Sequence, residues 1–280
     1  MFGRDRVEYK TPEQVLLMRR AGLVVAEALD AVRDRAAAGV TTAELDAVAA
    51  KVIADHGATP SFLGYLGYPA TLCVSVNDEV VHGIPGDRVL EPGDVVSIDC
   101  GAVVDGWHGD SAITVVLDGA DPQDVALAQT TERAMWSGIA ALAGADRLGA
   151  VGEAVEDVVD AAEATGLNGG ARYGIVEEYV GHGIGTAMHQ PPDVPNFRTR
   201  DRGLRVRPGL CVAVEPMVVR GQRFTRVLDD DWTVVTDDGS RASHWEHTVA
   251  VLEDGIWVLT SPDGGAAELA ALGVTVAPLS

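Results

Sequence analysis

Apolar residues recur at helical spacing after Thr11-Pro12-Glu13-Gln14, where Thr11 serves as N-cap and Pro12 fills the first helical position, whose N–H has no intrahelical partner. This predicts a helix from Pro12 to about Ala38, closed by Gly39. Thr42-Ala-Glu-Leu opens a second helix, with Leu45, Val48, Val52 and Ile53 on one face and Gly57 at its end. From Ala70 the period shortens. Leu72, Val74 and Val76 alternate with other residues, and the runs from Val95 and Ala112 are rich in β-branched residues, which predicts a sheet. Asp121-Pro122 repeats the cap-then-proline signature, so helices are expected over 122–143 and about 150–164, ending near Gly166. Pro12 and Pro122 lie 110 residues apart and Gly57 and Gly166 lie 109 apart, each helix pair leading into strands. The pattern predicts two similar α/β halves, about 10–120 and 121–260, followed by a turn at Ser261-Pro-Asp-Gly-Gly and a short Ala/Leu appendage.

Composition narrows the function classes. The 280 residues suffice for one large α/β domain or two modest ones. Asp and Glu number 42 against 21 Lys and Arg, a formal charge of −21, which disfavours a grip on a phosphate backbone and excludes nucleic acid as direct substrate. With 47% hydrophobic and 22% charged residues, wholesale disorder is excluded. The apolar window Leu16–Leu29 is interrupted by Arg19, Arg20 and Glu27, and no run approaches the ~18 uncharged apolar residues of a membrane span. Met1–Arg6 is charged and runs into a helix start without a secretory pattern, so a cytoplasmic location is expected. Cys73, Cys100 and Cys211, far apart and in apolar runs, read as buried thiols rather than a disulfide framework.

The chemistry concentrates in strand-like segments. Asp105-Gly106 is a favoured hairpin turn; centring the turn there sets Asp99 opposite Ala112 and makes Asp110 its diagonal neighbour on the same face. Alone, these aspartates suit a solvated hairpin equally well. If buried, two such acids must raise a pKa or hold a cation. Gly181-His182-Gly-Ile-Gly185 follows the strand-like Tyr179-Val180, its glycines leaving backbone room beside the imidazole, and His189 precedes Gln-Pro-Pro. Glu215 ends the apolar run from Leu210, and Glu246 begins another in His244-Trp-Glu246-His247-Thr-Val. Four carboxylates and one imidazole suit two adjacent divalent ions better than a structural zinc, and their charge balances two 2+ ions.

The runs Asn77-Asp-Glu-Val-Val-His82-Gly-Ile-Pro85, Ser97-Ile-Asp99-Cys-Gly, Gly109-Asp110-Ser, Gly181-His182-Gly-Ile-Gly185 with His189, Glu215-Pro216-Met217 and Glu246-His247-Thr248 resemble, in that order, the motifs of type I methionine aminopeptidases. The resemblance covers roughly residues 10–260. It implies an α/β pita-bread fold, two pseudo-symmetric halves around a dinuclear metal cleft, in a single catalytic domain spanning 1–280. By resemblance, Asp99 chelates one ion, Asp110 and Glu246 bridge both, and His182 and Glu215 complete the other. The implied nucleophile is a water acidified by two cations, with Glu215 as general base. His82 and His189 are implied hydrogen-bond partners of the scissile peptide. Phe62, Tyr65, Tyr68 and Cys73, with Met188 and Trp232, correspond to the methionine pocket. Phe62 stands where many bacterial members carry cysteine, and Met188 where many carry an aromatic residue. His56, His108, His244 and His247 fall on no ligand position and read as structural histidines.

The ligand set accepts manganese, iron, cobalt or zinc. The implied substrate is the N-terminus of nascent proteins, cleaved when the residue after methionine is small, by a monomer with no membrane association. Ribosome contact would draw on the run Arg198, Arg200, Arg202, Arg205 and Arg207, which equally reads as a solvated loop. Two alternatives share the fold: an X-Pro aminopeptidase or prolidase, usually with a large extra N-terminal domain for which the early first helix leaves no room, and a metal-free binding protein, whose relatives lose ligands that this chain keeps.

Overall fold

The computed structural model describes residues 7–166, 169–170 and 172–279, so the charged hexapeptide Met1–Arg6 lies outside the described residues. Helix α1 (Pro12–Arg35) opens with a reciprocal cap in which Gln14 N donates to Thr11 Oγ1 and Thr11 N donates to Gln14 Oε1. Thr41 and Glu44 do the same for α2 (Thr42–Asp55), and Asp121 accepts from Gln123 N at the head of α3 (Pro122–Leu142). Helix α4 (Gly149–Ala164) has no side-chain cap; its first amides, Leu148 N and Gly149 N, donate to Leu204 O and Arg202 O of a distant loop.

The first helix stops three residues before Ala38. Ala36 turns extended, Gly39 N donates to Leu90 O and Leu90 N donates to Val40 O, so the chain leaves the helix to bury Val40. Leu72–Val76 is a strand, yet all five of its residues are buried, so its apparent alternation does not divide a wet face from a dry one. Tyr179 and Val180 lie before the strand, which covers only Gly181–Gly183.

A nine-stranded sheet runs in the order Thr59–Pro60, Val95–Val104, Trp107–Val116, Glu246–Leu252, Cys211–Val214, Gly181–Gly183, Gln190–Val194, with Leu72–Val76 also on Val95–Val104 and Gly255–Val258 on Glu246–Leu252. The hairpin turns at Asp105 and Gly106, both at positive φ, and pairs Asp99 with Ala112 as its register requires. Two apolar cores lie beneath the helix pairs. Leu29, Leu45 and Ile53 of α1 and α2 pack with Leu72 and Ile98, and Met135, Ile139 and Val155 of α3 and α4 pack with Val212, Val214 and Val249. Trp245 packs against both. The two-half pattern thus has a physical counterpart. Close backbone contact seats α1 on the hairpin: a Cβ on Gly109 would lie 2.6 Å from Gly22 N, next to Asp110. Among the described residues, no helix is long and apolar enough to cross a membrane. Cys73, Cys100 and Cys211 are buried and free.

Candidate metal centre and substrate cleft

Five neighbouring strands each bring one donor. Asp99 lies on Val95–Val104, Asp110 on Trp107–Val116, Glu246 at the start of Glu246–Leu252, Glu215 just past Cys211–Val214 and His182 on Gly181–Gly183. Ala112 pairs with Asp99 on one side and Glu246 on the other, and Asp110, two residues away, shares its face. Ligating atoms of Asp110, His182 and Glu246 lie within 4.8 Å of one another, and His182 Nε2 lies 3.3 Å from Glu215 Oε1. Backbone anchors hold the acids in place. Asp110 N donates to Thr248 Oγ1, whose hydroxyl donates back to Asp110 O, and Ser111 Oγ donates to Glu246 O. His182 Nδ1 stands 3.1 Å from Gly183 O, which assigns the proton to Nδ1 and leaves the Nε2 lone pair facing the carboxylates. The glycines beside His182 serve strand packing: a Cβ on Gly181 would sit 2.4 Å from Ala213 O, and one on Gly183 2.3 Å from Pro191 O.

Burial governs the electrostatics. It pushes the Asp99 carboxyl up to about 7, and burial followed by neighbouring carboxylate charge raises Asp110, Glu215 and Glu246 well above the usual range. Burial also lowers the His182 imidazole to about 3, so its contact with Glu215 is a neutral one rather than an ion pair. One oxygen of each carboxylate, Asp99 Oδ1, Asp110 Oδ1, Glu215 Oε1 and Glu246 Oε1, is sealed from water without a hydrogen-bond partner. Hard oxygen donors with unsatisfied lone pairs and one imidazole nitrogen fit divalent cations, which would supply the missing partners and neutralise the charge.

Above this floor is a cavity of about 230 Å³. The residues expected to form the methionine pocket lie together there: Phe62, Tyr68, Cys73 and Met188 form one apolar cluster with Tyr65 and Trp232 packed against it. The Tyr68 hydroxyl donates to Leu72 O and Gly83 O, fixing the ring edge-on to Phe62 and Trp232. His82, at φ +60, faces the Tyr179 and Trp232 rings, and burial, then the nearby His189, lowers its pKa to about 4. His189 Nδ1 lies 3.0 Å from the Tyr65 hydroxyl, and its ring meets that of His182.

Of the four histidines that fall on no ligand position, three lie off the cavity lining. His56 pairs with Glu27 on the surface, His108 with Ser61, and His247 with Ser111 and Thr260 beneath Trp136. His244 lines the cavity instead, with a buried Nε2 that has no hydrogen-bond partner and stands 3.7 Å from Glu215 Oε2. Its proximity to Glu246 in the sequence was the available signal; His244 ends the strand Ala242–His244 that pairs with Met217–Val219, while Glu246 begins the next strand in the large sheet. Leu66, Val81 and Met217 also line the cavity; Val81 and Met217 fall inside the quoted motif runs but were not singled out, and Leu66 lies between Tyr65 and Tyr68. Arg198 of the basic run is bound to Glu156, Asp157 and Asp160 of α4, so its side chain ties the loop to that helix, and the Arg205 backbone pairs with that of Arg147 just ahead of it.

Residues 16–253 match metallopeptidase family M24. The chain is 51% identical over 259 residues to methionine aminopeptidase 1 of Mycobacterium tuberculosis (strain CDC 1551 / Oshkosh), covering 92% of this chain and 96% of that one. It is 41% identical to methionine aminopeptidase 1 of Bacillus subtilis (strain 168), covering 90% of this chain and 98% of that one. The crystal structure of methionine aminopeptidase from Thermotoga maritima matches with a TM-score of 0.85 at 36% identity, over 91% of this chain and all of that one. Prolidase from Pyrococcus furiosus matches at 0.68 and 18% identity, over 90% of this chain and 65% of that one, a likeness of fold alone. The chain belongs to metallopeptidase family M24 and, within it, to the methionine aminopeptidases. Its fold is the pita-bread fold that the motifs implied.

Proposed function

We propose that this metallo-aminopeptidase removes the N-terminal methionine of peptides and nascent proteins whose second residue is small, using two divalent cations held by Asp99, Asp110, His182, Glu215 and Glu246. The observation that carries the reading is the placement of five donors on five adjacent strands, directly below an apolar cavity. Manganese, iron, cobalt and zinc all suit the donor set. When bound, such cations acidify water and offset negative charge developing on the carbonyl oxygen. Glu215 takes the proton of the attacking water and passes it to the leaving amine, a role its place at the end of the strand Cys211–Val214, below the cavity, allows. His82 and His189 hydrogen-bond the scissile peptide unit and its tetrahedral form, His82 as a neutral imidazole that can both donate and accept. Phe62, Tyr65, Tyr68, Cys73, Met188 and Trp232 hold the methionine side chain, where the soft, flexible Met188 adapts to a thioether.

In this reading residues 1–280 act as one catalytic domain, monomeric and cytoplasmic, meeting nascent chains as they emerge. Contact with the ribosome would rest on Arg200, Arg202, Arg205 and Arg207, since Arg198 is engaged by α4; charge reversal of three of these without a change in ribosome co-sedimentation eliminates it. The test of the activity is methionine release from Met-Ala-Ser and Met-Lys-Ser by metal-stripped protein, with Mn²⁺ or Co²⁺ added back and Gly-Pro as control. Metal-dependent release from Met-Ala-Ser alone is expected. Cleavage of Gly-Pro instead moves the activity to a prolidase, and absence of cleavage despite bound metal leaves a binding protein.

A further inference from the structure

Residues 7–10, ahead of α1, belong to no helix or strand, yet they are pinned across the loop that follows His182. Glu8 Oε1 accepts from Thr186 Oγ1 at 2.9 Å, and Glu8 Oε2 accepts from Thr186 N at 3.1 Å and Gln190 Nε2 at 2.9 Å. Those donors flank Ala187, Met188 and His189. Lys10 gives the strap a second anchor: its N donates to Gly209 O at 2.7 Å, and its buried ammonium donates to Glu8 O at 2.9 Å. Gly185 leaves room for the crossing, because a Cβ there would lie 2.2 Å from Glu8 Oε2 and 2.5 Å from Lys10 Cε. The last glycine of the Gly181–Gly185 run therefore accommodates the strap rather than the substrate.

We propose that Glu8 is a positioning residue for the cleft, closing the 186–190 loop at both ends so that His189 meets the peptide and Met188 completes the pocket. One carboxylate satisfying donors on both sides of a short loop removes conformations in which that loop swings out, and without it these residues regain their freedom. The inference rests on the substrate-contacting role of His189 proposed above.

The test compares Mn²⁺-loaded full-length Glu8→Ala, His189→Ala and the double variant on Met-Ala-Ser. Glu8→Ala is expected to lower kcat/KM about tenfold, with Mn²⁺ affinity and Tm near wild type, and to lower it by less than twofold when His189 is already alanine, because coupled residues are non-additive. Thr186→Val, which removes only the Oγ1 donor, is expected to give a smaller loss in the same direction and carries the comparison if Glu8→Ala does not fold. Wild-type kcat/KM in Glu8→Ala, or an undiminished Glu8 effect in the His189→Ala background, overturns the strap. An unimpaired His189→Ala instead breaks the role of His189 itself.

Discussion

At the floor of the cleft, four carboxylates each present a buried oxygen that nothing among the described residues satisfies, and burial holds them toward their protonated forms. The apolar wall of the same cavity is complete: the Tyr68 hydroxyl has two carbonyl acceptors, and Phe62, Cys73 and Met188 fill one another's apolar surface. The floor is thus unfinished without a cation, whereas the wall is shaped by the chain's own packing. Loss of cation should therefore abolish chemistry while leaving the pocket standing, and changes in the wall should alter binding while leaving the chemistry intact.

The largest effect should come from the floor. Chelation is expected to reduce methionine release to background and added Mn²⁺ or Co²⁺ to restore it, measured as free methionine; release that survives exhaustive chelation breaks the contrast. Glu215→Gln should lower kcat by about 10²–10⁴-fold while the far-UV spectrum remains wild type, as expected for a lost general base. Unchanged hydrolysis would remove Glu215 from that role. On the wall, Phe62→Ala should raise KM for Met-Ala-Ser by roughly tenfold with kcat changed far less, since pocket contacts of this size are worth about 1–3 kcal/mol. A fall confined to kcat would show that floor and wall are not separable.

The smallest effect is a pH signature. A carboxyl whose folded-state pKa is raised contributes stability below its unfolded value that is lost as pH rises through the folded one, here from 3.8 to about 7 for Asp99. The buried imidazoles of His82, His182 and His244 act in the opposite direction, but only below their ordinary value of 6.5. Metal-stripped protein should therefore lose stability between pH 6.5 and 8.5, Asp110, Glu215 and Glu246 acting in the same direction as Asp99. With saturating Mn²⁺ the sign should reverse, because cations bind the ionised carboxylates more tightly as pH rises. Thermal unfolding at the two pH values, with and without metal, reads both signs.

Much of this site was legible in the chain. The Asp105-Gly106 turn and the flanking β-branched runs set the register that pairs Asp99 with Ala112, because a two-residue turn leaves a hairpin one way to align. The capping residues Thr11 and Asp121 placed two helix starts, since a cap acts within one turn; the Thr41 cap of α2 emerged only in the structure. Where a boundary depended on a distant partner the reading failed: α1 stops at Arg35 because Val40 pairs with Leu90, whereas α4 begins within one residue of its expected start although the Arg202–Leu204 backbone, not a side chain of its own, caps it. His244 was set aside because the motif identified its neighbours and not the face it occupies.

By itself, then, the sequence determined the helix starts, the hairpin register and the inventory of donors, all settled by interactions within a few residues or by ordered motifs. The tertiary structure alone decided that Glu246–Leu252 inserts between Trp107–Val116 and Cys211–Val214, gathering donors from residues 99 to 246 on one surface, and that Glu8 crosses the chain to hold the 186–190 loop. The reason is physical: strand order is chosen by the burial of two whole apolar cores, and the strap by hydrogen bonds between residues far apart in the chain, neither of which a local pattern encodes.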